Sequence, residues 1–151
     1  MFRIETGVDS HRRKLLGELL ESSNAEASPA IRGLRGTPHE DEVPLEVWAF
    51  EDASDDSAAG LAGGLTAFTW ARWLHVDLLW VAPHHRGTGL GTRLLDEAER
   101  AARERGCGWA RLETWDFQAP GFYRGRGYDV VGVVEDYPPG ATEFLLAKRL
   151  A

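Results

Sequence analysis

Residues 81 to 95, VAPHHRGTGLGTRLL, join a run of apolar residues to an amphipathic segment through an arginine and three glycines. This junction constrains the chain more than any other stretch. Gly87, Gly89 and Gly91 sit between a buried strand and a long helix, where residues without Cβ let successive backbone N–H groups converge on one point. Two readings fit such a turn: a tight connection, or a cradle for an anion at the positive end of the helix.

The flanking pattern sets the fold class. FRIETG (2–7) reads as an opening strand, followed by a helix with Leu15, Leu16, Leu19 and Leu20 at helical spacing behind a cap at Asp9 or Ser10. Residues 22 to 43 collect Ser, Gly, Pro and acids and read as loop, with a short helix near Pro29 to Leu34. Residues 45–51, 60–70 and 73–81 read as an antiparallel meander. An acidic loop, DASDDSA, joins the first two strands, and a tight turn at Ala71 and Arg72 joins the last two. A helix then carries Leu90, Leu94, Leu95, Ala98, Ala101 and Ala102 on one face until Gly106. WARLETW (109–115) is a strand, APGFYRG (119–125) a short helix, and two last strands flank YPPGA. The order β-α-(α)-β-β-β-α-β-α-β-β predicts an α+β sandwich, and 151 residues suit one domain, 1–151. The six tryptophans are expected mainly in the core.

Several functions are excluded by what is missing. The only lysines are Lys14 and Lys148, so the turn is no Walker loop, and a dinucleotide fingerprint would need glycine where Thr92 or Leu94 stands. No serine follows Ser57, so the chain has no nucleophile elbow. Cys107 is alone, and His84 and His85 would point apart in an extended chain, so no metal site is expected. A net charge of −7 argues against nucleic acid as a partner. The longest apolar run, Leu78 to Ala82, is too short to cross a membrane, and the N-terminus has no export signal, so the cytoplasm is expected.

The stretch LWVAPHHRGTGLGTRLL resembles the GNAT superfamily of N-acetyltransferases, whose signature Arg/Gln-x-x-Gly-x-Gly/Ala follows a strand ending in Val-x-Pro. Here those residues are Arg86, Gly89 and Gly91 behind Val81 and Pro83. Downstream, APGFYRGRGY is similar to the family's second motif through Ala119, Tyr123, Gly127 and Tyr128. The similarity covers roughly residues 60 to 149. Many members carry Asn where this chain has Asp116.

The resemblance implies a mixed, mostly antiparallel sheet of six to seven strands flanked by helices, and acetyl-CoA as the acetyl donor. The cofactor would lie along Leu79, Trp80 and Val81, on the turn Arg86, Gly87, Thr88, Gly89, Leu90, Gly91 and Thr92, and against Asp116, Ala119 and Tyr123. A diphosphate at this turn would meet the helix dipole. The resemblance also implies that the third strand of the meander splays from WARLETW, leaving the N–H of Leu79 free to hold the acetyl oxygen. Tyr123 would protonate the departing thiolate.

An amine with pKa ~10 must lose a proton before it attacks. His75 is the preferred base, with Asp77, Glu113 or water as alternatives. Strict alternation would put His75, Asp77, Leu79 and Val81 on one face. Glu113 reads rather as a surface ion-pair partner of Arg111 or Arg124. Glu113, Trp115 and Phe117 are expected near the acceptor, a small-molecule amine, and pairing of the last strands would make a homodimer.

Overall fold

The computed structural model describes residues 1–51 and 60–151. The acidic loop expected at DASDDSA lies outside the described residues. The chain divides into two compact units, Met1–Thr37 and Pro38–Ala151.

The first unit is helical. Helix α1 (Ser10–Ala27) starts at Asp9, whose carboxylate accepts from the Arg12 N–H at 2.9 Å. Ser28 ends α1 and also caps α2 (Pro29–Arg32), its hydroxyl accepting from the Ile31 N–H. Arg32 turns back onto the Ala25 and Glu26 carbonyls at 2.9 and 2.7 Å, closing the bare C-terminus of α1. Leu15, Leu16, Leu19 and Leu20 remain exposed. The expected opening strand is absent, with Phe2 and Ile4 more than nine-tenths exposed. FRIETG alternates like a strand, but a strand exists only through a hydrogen-bonded partner, which alternation by itself does not supply.

The second unit is a six-stranded mixed sheet in the order β1-β2-β3-β4-β6-β5. Its strands are β1 (Val43–Phe50), β2 (Leu61–Trp70), β3 (Trp73–Val81), β4 (Trp109–Trp115), β5 (Asp129–Glu135) and β6 (Thr142–Arg149). Only the β3–β4 pair is parallel, joined through α3 (Leu90–Glu104). Ala71 and Arg72 both take positive φ, as a two-residue hairpin with the strand-matched twist requires. Helix α3 packs across β1, β2 and β3 through Leu94, Leu95, Ala98 and Ala102. Leu45, Leu65, Leu74, Val76, Leu112, Leu146, Tyr123 and Tyr128 complete that core.

None of the six tryptophans is fully buried, contrary to expectation. Residues of β2 and β3 that alternate with the core positions place Trp70, Trp73 and Trp80 on the other face, and Trp73 stacks on Trp109 at 5.3 Å. Glu99, by contrast, lies on the buried side of α3, 1% exposed, and receives Lys148 Nζ at 2.5 and 2.9 Å. The lysine also lies 5.6 Å from the Tyr128 ring centroid. This pair ties β6 to α3, and losing one partner leaves the other charge buried. Lys148→Met is expected to lower the unfolding free energy by about 3 kcal/mol in urea titrations, with most of it regained in Glu99→Leu/Lys148→Met.

Candidate active site

Pairing between β3 and β4 runs from Trp73–Trp109 to Val76–Leu112 and then stops. Beyond that point β3 stays paired to β2 as far as Val81, and β4 stays paired to β6 as far as Trp115. The two strands part, and a gap opens between their C-terminal halves.

Asp77 stands where the gap begins. Ala67 faces Val76 and Thr66 faces Leu78, so Asp77 is an extra residue on β3, a β-bulge. The bulge resets the alternation. Leu74 and Val76 before it and Leu79 and Val81 after it all pack into the core, so His75 does not share a face with Leu79 and Val81 as strict alternation predicted. His75 lies on the opposite face, its ring 4.8 Å from Phe68 and its backbone in register with Arg111. Asp77 is exposed at the bulge.

The Ala82 N–H donates to the Ala62 carbonyl at 2.8 Å. Antiparallel alternation therefore turns the N–H groups of Leu78 and Trp80 toward β2, and those of Leu79 and Val81 toward the gap. No strand pairs with β3 on that side beyond Val76 among the described residues. The Trp80 side chain is about half exposed.

The glycine turn closes the end of the gap. Gly87 and Gly89 have φ of +75° and +86°, and nothing lies within 4 Å of where a Cβ would stand on either. Gly89 caps α3 with no side-chain acceptor, leaving the first-turn N–H groups of Leu90, Gly91 and Thr92 without an intrahelical partner. A diphosphate fits this cradle, since the positive end of α3 and bare amides face the same open space. Arg86 Nε donates to the Val81 carbonyl at 3.0 Å, fixing its guanidinium beside the strand end, and Thr88 Oγ1 donates to the His85 carbonyl.

Helix α4 (Pro120–Gly125) lies against this turn, because the Phe122 ring fills the space next to Gly91. Ala119 is its N-cap, without a side-chain bond. Tyr123 is 9% exposed and meets Phe122 and Tyr128 edge-on at 5.1 and 5.9 Å. Burial pushes its phenol up to about 12, so it stays protonated at neutral pH. Tyr128 is raised further by burial and by the nearby Glu99.

At the mouth of β4, Glu113 pairs with Arg111 at 3.4 Å, one of the two partners weighed for it. The Asp116 carboxylate accepts from the Thr142 N–H at 3.2 Å, so this residue ties β4 to β6. Trp115 stacks on Phe117 at 5.9 Å and donates its indole N–H to the Tyr137 carbonyl. Two participants escaped the sequence. Tyr137 completes the aromatic group at 5.9 Å from Trp115, and Gln118 Oε1 accepts from the Trp115 N–H at 2.9 Å, holding the turn after β4. The aromatic opening of the YPPGA turn was the available signal for Tyr137.

His84 and His85 also depart from expectation. Pro83 starts a 3-10 turn (Pro83–His85), so the chain is not extended there. Both Nε2 atoms lie 2.9 Å from Glu51 Oε1. The hydrogen bond to His84, then that to His85, holds the Glu51 carboxyl below its ordinary range.

A family model described as "Acetyltransferase (GNAT) family" matches residues 13–128. The chain belongs to the GNAT acetyltransferase family. It is an enzyme, an N-acetyltransferase. Blasticidin-S acetyltransferase of Streptomyces morookaense is 51% identical over 132 residues, covering 87% of this chain and 96% of that protein. Streptothricin acetyltransferase of Streptomyces lavendulae is 37% identical over 93 residues, covering 55% of this chain and 49% of that protein. The crystal structure of an acetyltransferase from Bacillus cereus superposes with a TM-score of 0.79 at 28% identity, covering 98% of this chain and 97% of that one. Six strands and the α+β arrangement agree with the family fold. The seventh strand, allowed by the resemblance, does not form among the described residues. No helix among the described residues is long and apolar enough to span a membrane.

The left-handed backbone at Gly89 gives a direct test of the turn in this GNAT enzyme. Gly89→Ala introduces strain of about 1 kcal/mol in a backbone region costly for L-residues. Calorimetric titration with acetyl-CoA is expected to show Kd raised about fivefold if that cost falls on the bound turn.

Proposed function

We propose that this protein transfers an acetyl group from acetyl-CoA to the amine of a small molecule by direct attack within a ternary complex. The observation that carries the proposal is the parting of β3 and β4 beside an uncapped glycine turn. The strand gap suits a thioester and pantetheine arm, and the turn suits the diphosphate. The relative named blasticidin-S acetyltransferase, alike over nearly its whole length, supports a small-molecule acceptor. The family match at 13–128 crosses the boundary between the two units, which supports a single functional domain over 1–151.

In this scheme the amine nitrogen attacks the thioester carbonyl and the oxygen takes up negative charge. The gap-facing N–H of Leu79 donates to that oxygen, a contact typically worth ~3 kcal/mol in the transition state. His75 accepts the amine proton, directly or through water. Asp77, exposed at the bulge where the gap begins, holds the incoming ammonium. The aromatic group Trp115, Phe117 and Tyr137 lines the acceptor's approach, with Glu113 beside it. As the C–S bond breaks, Tyr123 gives its proton to the CoA thiolate. A phenol held at about 12 remains a proton donor throughout the working range. The chemistry needs no metal. On this reading the enzyme works in the cytoplasm, as a homodimer paired through its last strands.

Tyr123→Phe is expected to lower kcat by about tenfold or more while acetyl-CoA affinity is nearly kept. Unchanged kcat would remove Tyr123 from the proton transfer. Thiol release from acetyl-CoA should occur with a subset of a panel holding blasticidin S, streptothricin, simple diamines, amino acids and peptides. CoA binding with no release by any acceptor would favour a sensor, and release with peptides alone would make the acceptor a protein.

A further inference from the structure

We propose that Glu51, His84 and His85 form a binding site for a divalent transition-metal ion of the zinc, cobalt or nickel type, which clamps the end of β1 to the chain segment leading into the glycine turn. The three side chains come from two separate places in the sequence and converge across the start of β2. Their ligand atoms all lie within 4.8 Å of one another. The two imidazole rings are 4.1 Å apart, and each aims Nε2 at the same carboxylate oxygen, 2.9 Å away.

Two imidazoles and a carboxylate are the donor set that borderline divalent ions prefer over magnesium or calcium. Around a tetrahedral ion with bonds of about 2.1 Å, ligand atoms sit about 3.4 Å apart, so each nitrogen–oxygen distance must open by roughly half an ångström. Side-chain rotation can supply that, because Glu51 is 46% and His84 67% exposed at the side chain. The fourth position would be left to water. Two neutral imidazoles can each donate Nε2–H to this one oxygen, and in the other tautomer the same two nitrogens present their lone pairs to a cation that the carboxylate also binds. The chain's negative charge, −7, favours cations at its surface.

The location gives the ion a purpose. A backbone bond from His85 N–H to the Ala82 carbonyl and a side-chain bond from Thr88 Oγ1 to the His85 carbonyl link His85 directly to the turn. An ion holding both rings to Glu51 would fix the approach to Arg86 and Gly87 without touching reacting atoms. That purpose rests on the diphosphate role proposed for the turn, whereas the metal site itself does not.

The test uses the full chain without a histidine tag and with no acetyl-CoA present. Titration with Co2+ should develop a visible ligand-field band that saturates at one ion per chain, and Zn2+ should displace it. His84→Ala, His85→Ala and Glu51→Gln should each weaken binding by about tenfold or more, while His11→Ala leaves it unchanged. Zn2+ should raise the Tm of the parent chain and not that of the three variants, whose metal-free circular dichroism and Tm report that they fold. Co2+ binding that survives all three substitutions, or no saturation with either ion, overturns the site. A separate calorimetric titration with acetyl-CoA, with and without saturating Zn2+, should show tighter binding with the ion; one ion per chain with unchanged acetyl-CoA affinity keeps the site and overturns its link to the turn.

Discussion

The parting of β3 from β4 after Val76 and Leu112 is the constraint on which the rest of the second unit depends. A buried parallel pair normally continues until both strands end, since each inner N–H and C=O needs a partner. Here each strand is held on its outer side only, β3 by β2 and β4 by β6. The bulge at Asp77 adds one residue to β3 where the pairing ends, and bulges increase local twist, which turns β3 away from β4. The core tolerates this because Leu79 and Val81 regain the buried face one step out of phase. The gap is thus supported by packing below it and left with unpaired main-chain donors within it, which a substrate or water must satisfy.

Local features were legible before the structure was known, and features that belong to two segments at once were not. The turn at 86–91 and the helix at 120–125 are written in consecutive residues, and the structure forms both. The bulge belongs to the register of β3 against β2, which the β3 sequence alone does not encode, so the face of His75 came out wrong. FRIETG alternates like a strand yet has no neighbour, and the tryptophans have core chemistry yet sit on the half-exposed face of β1 to β4. Glu99 reads as a solvent residue on α3 and becomes buried only because Lys148, far along the chain, arrives beside it. His84 and His85 alternate apart in extended chain, whereas the 3-10 turn begun by Pro83 brings their rings together.

The proton donor proposed for the reaction is held by the same packing that holds the sheet. Tyr123 sits among Phe122, Tyr128 and the leucines of the core, and that burial raises its phenol. Its neighbour Tyr128 has a buried hydroxyl with no partner among the described residues and lies under Lys148. The Glu99–Lys148 pair therefore stands behind the two tyrosines and fixes β6 and α3 around them. Stability and proton donation share one set of side chains, so changes at Tyr128 or Lys148 reach Tyr123 through its packing.

The acceptor contacts proposed for this enzyme belong to a different layer. The Bacillus cereus acetyltransferase has a similar overall fold at 28% identity, so the fold is compatible with widely different side chains. What can vary without moving the gap are residues at its mouth that carry little of the core. Phe117 and Tyr137 are more than half exposed, and Trp115 bridges them by stacking and by its bond to the Tyr137 carbonyl. Gln118 and Asp116 hold this group from below through backbone bonds to Trp115 and Thr142. An aromatic shelf fixed at its base and open at its rim can be reshaped residue by residue, because its side chains contribute contact area to an acceptor and little to folding. The glycine turn with Tyr123 and the aromatic group proposed to meet the acceptor are thus physically separate, one set in the core and the turn, the other on the rim of β4 and the β5–β6 connection.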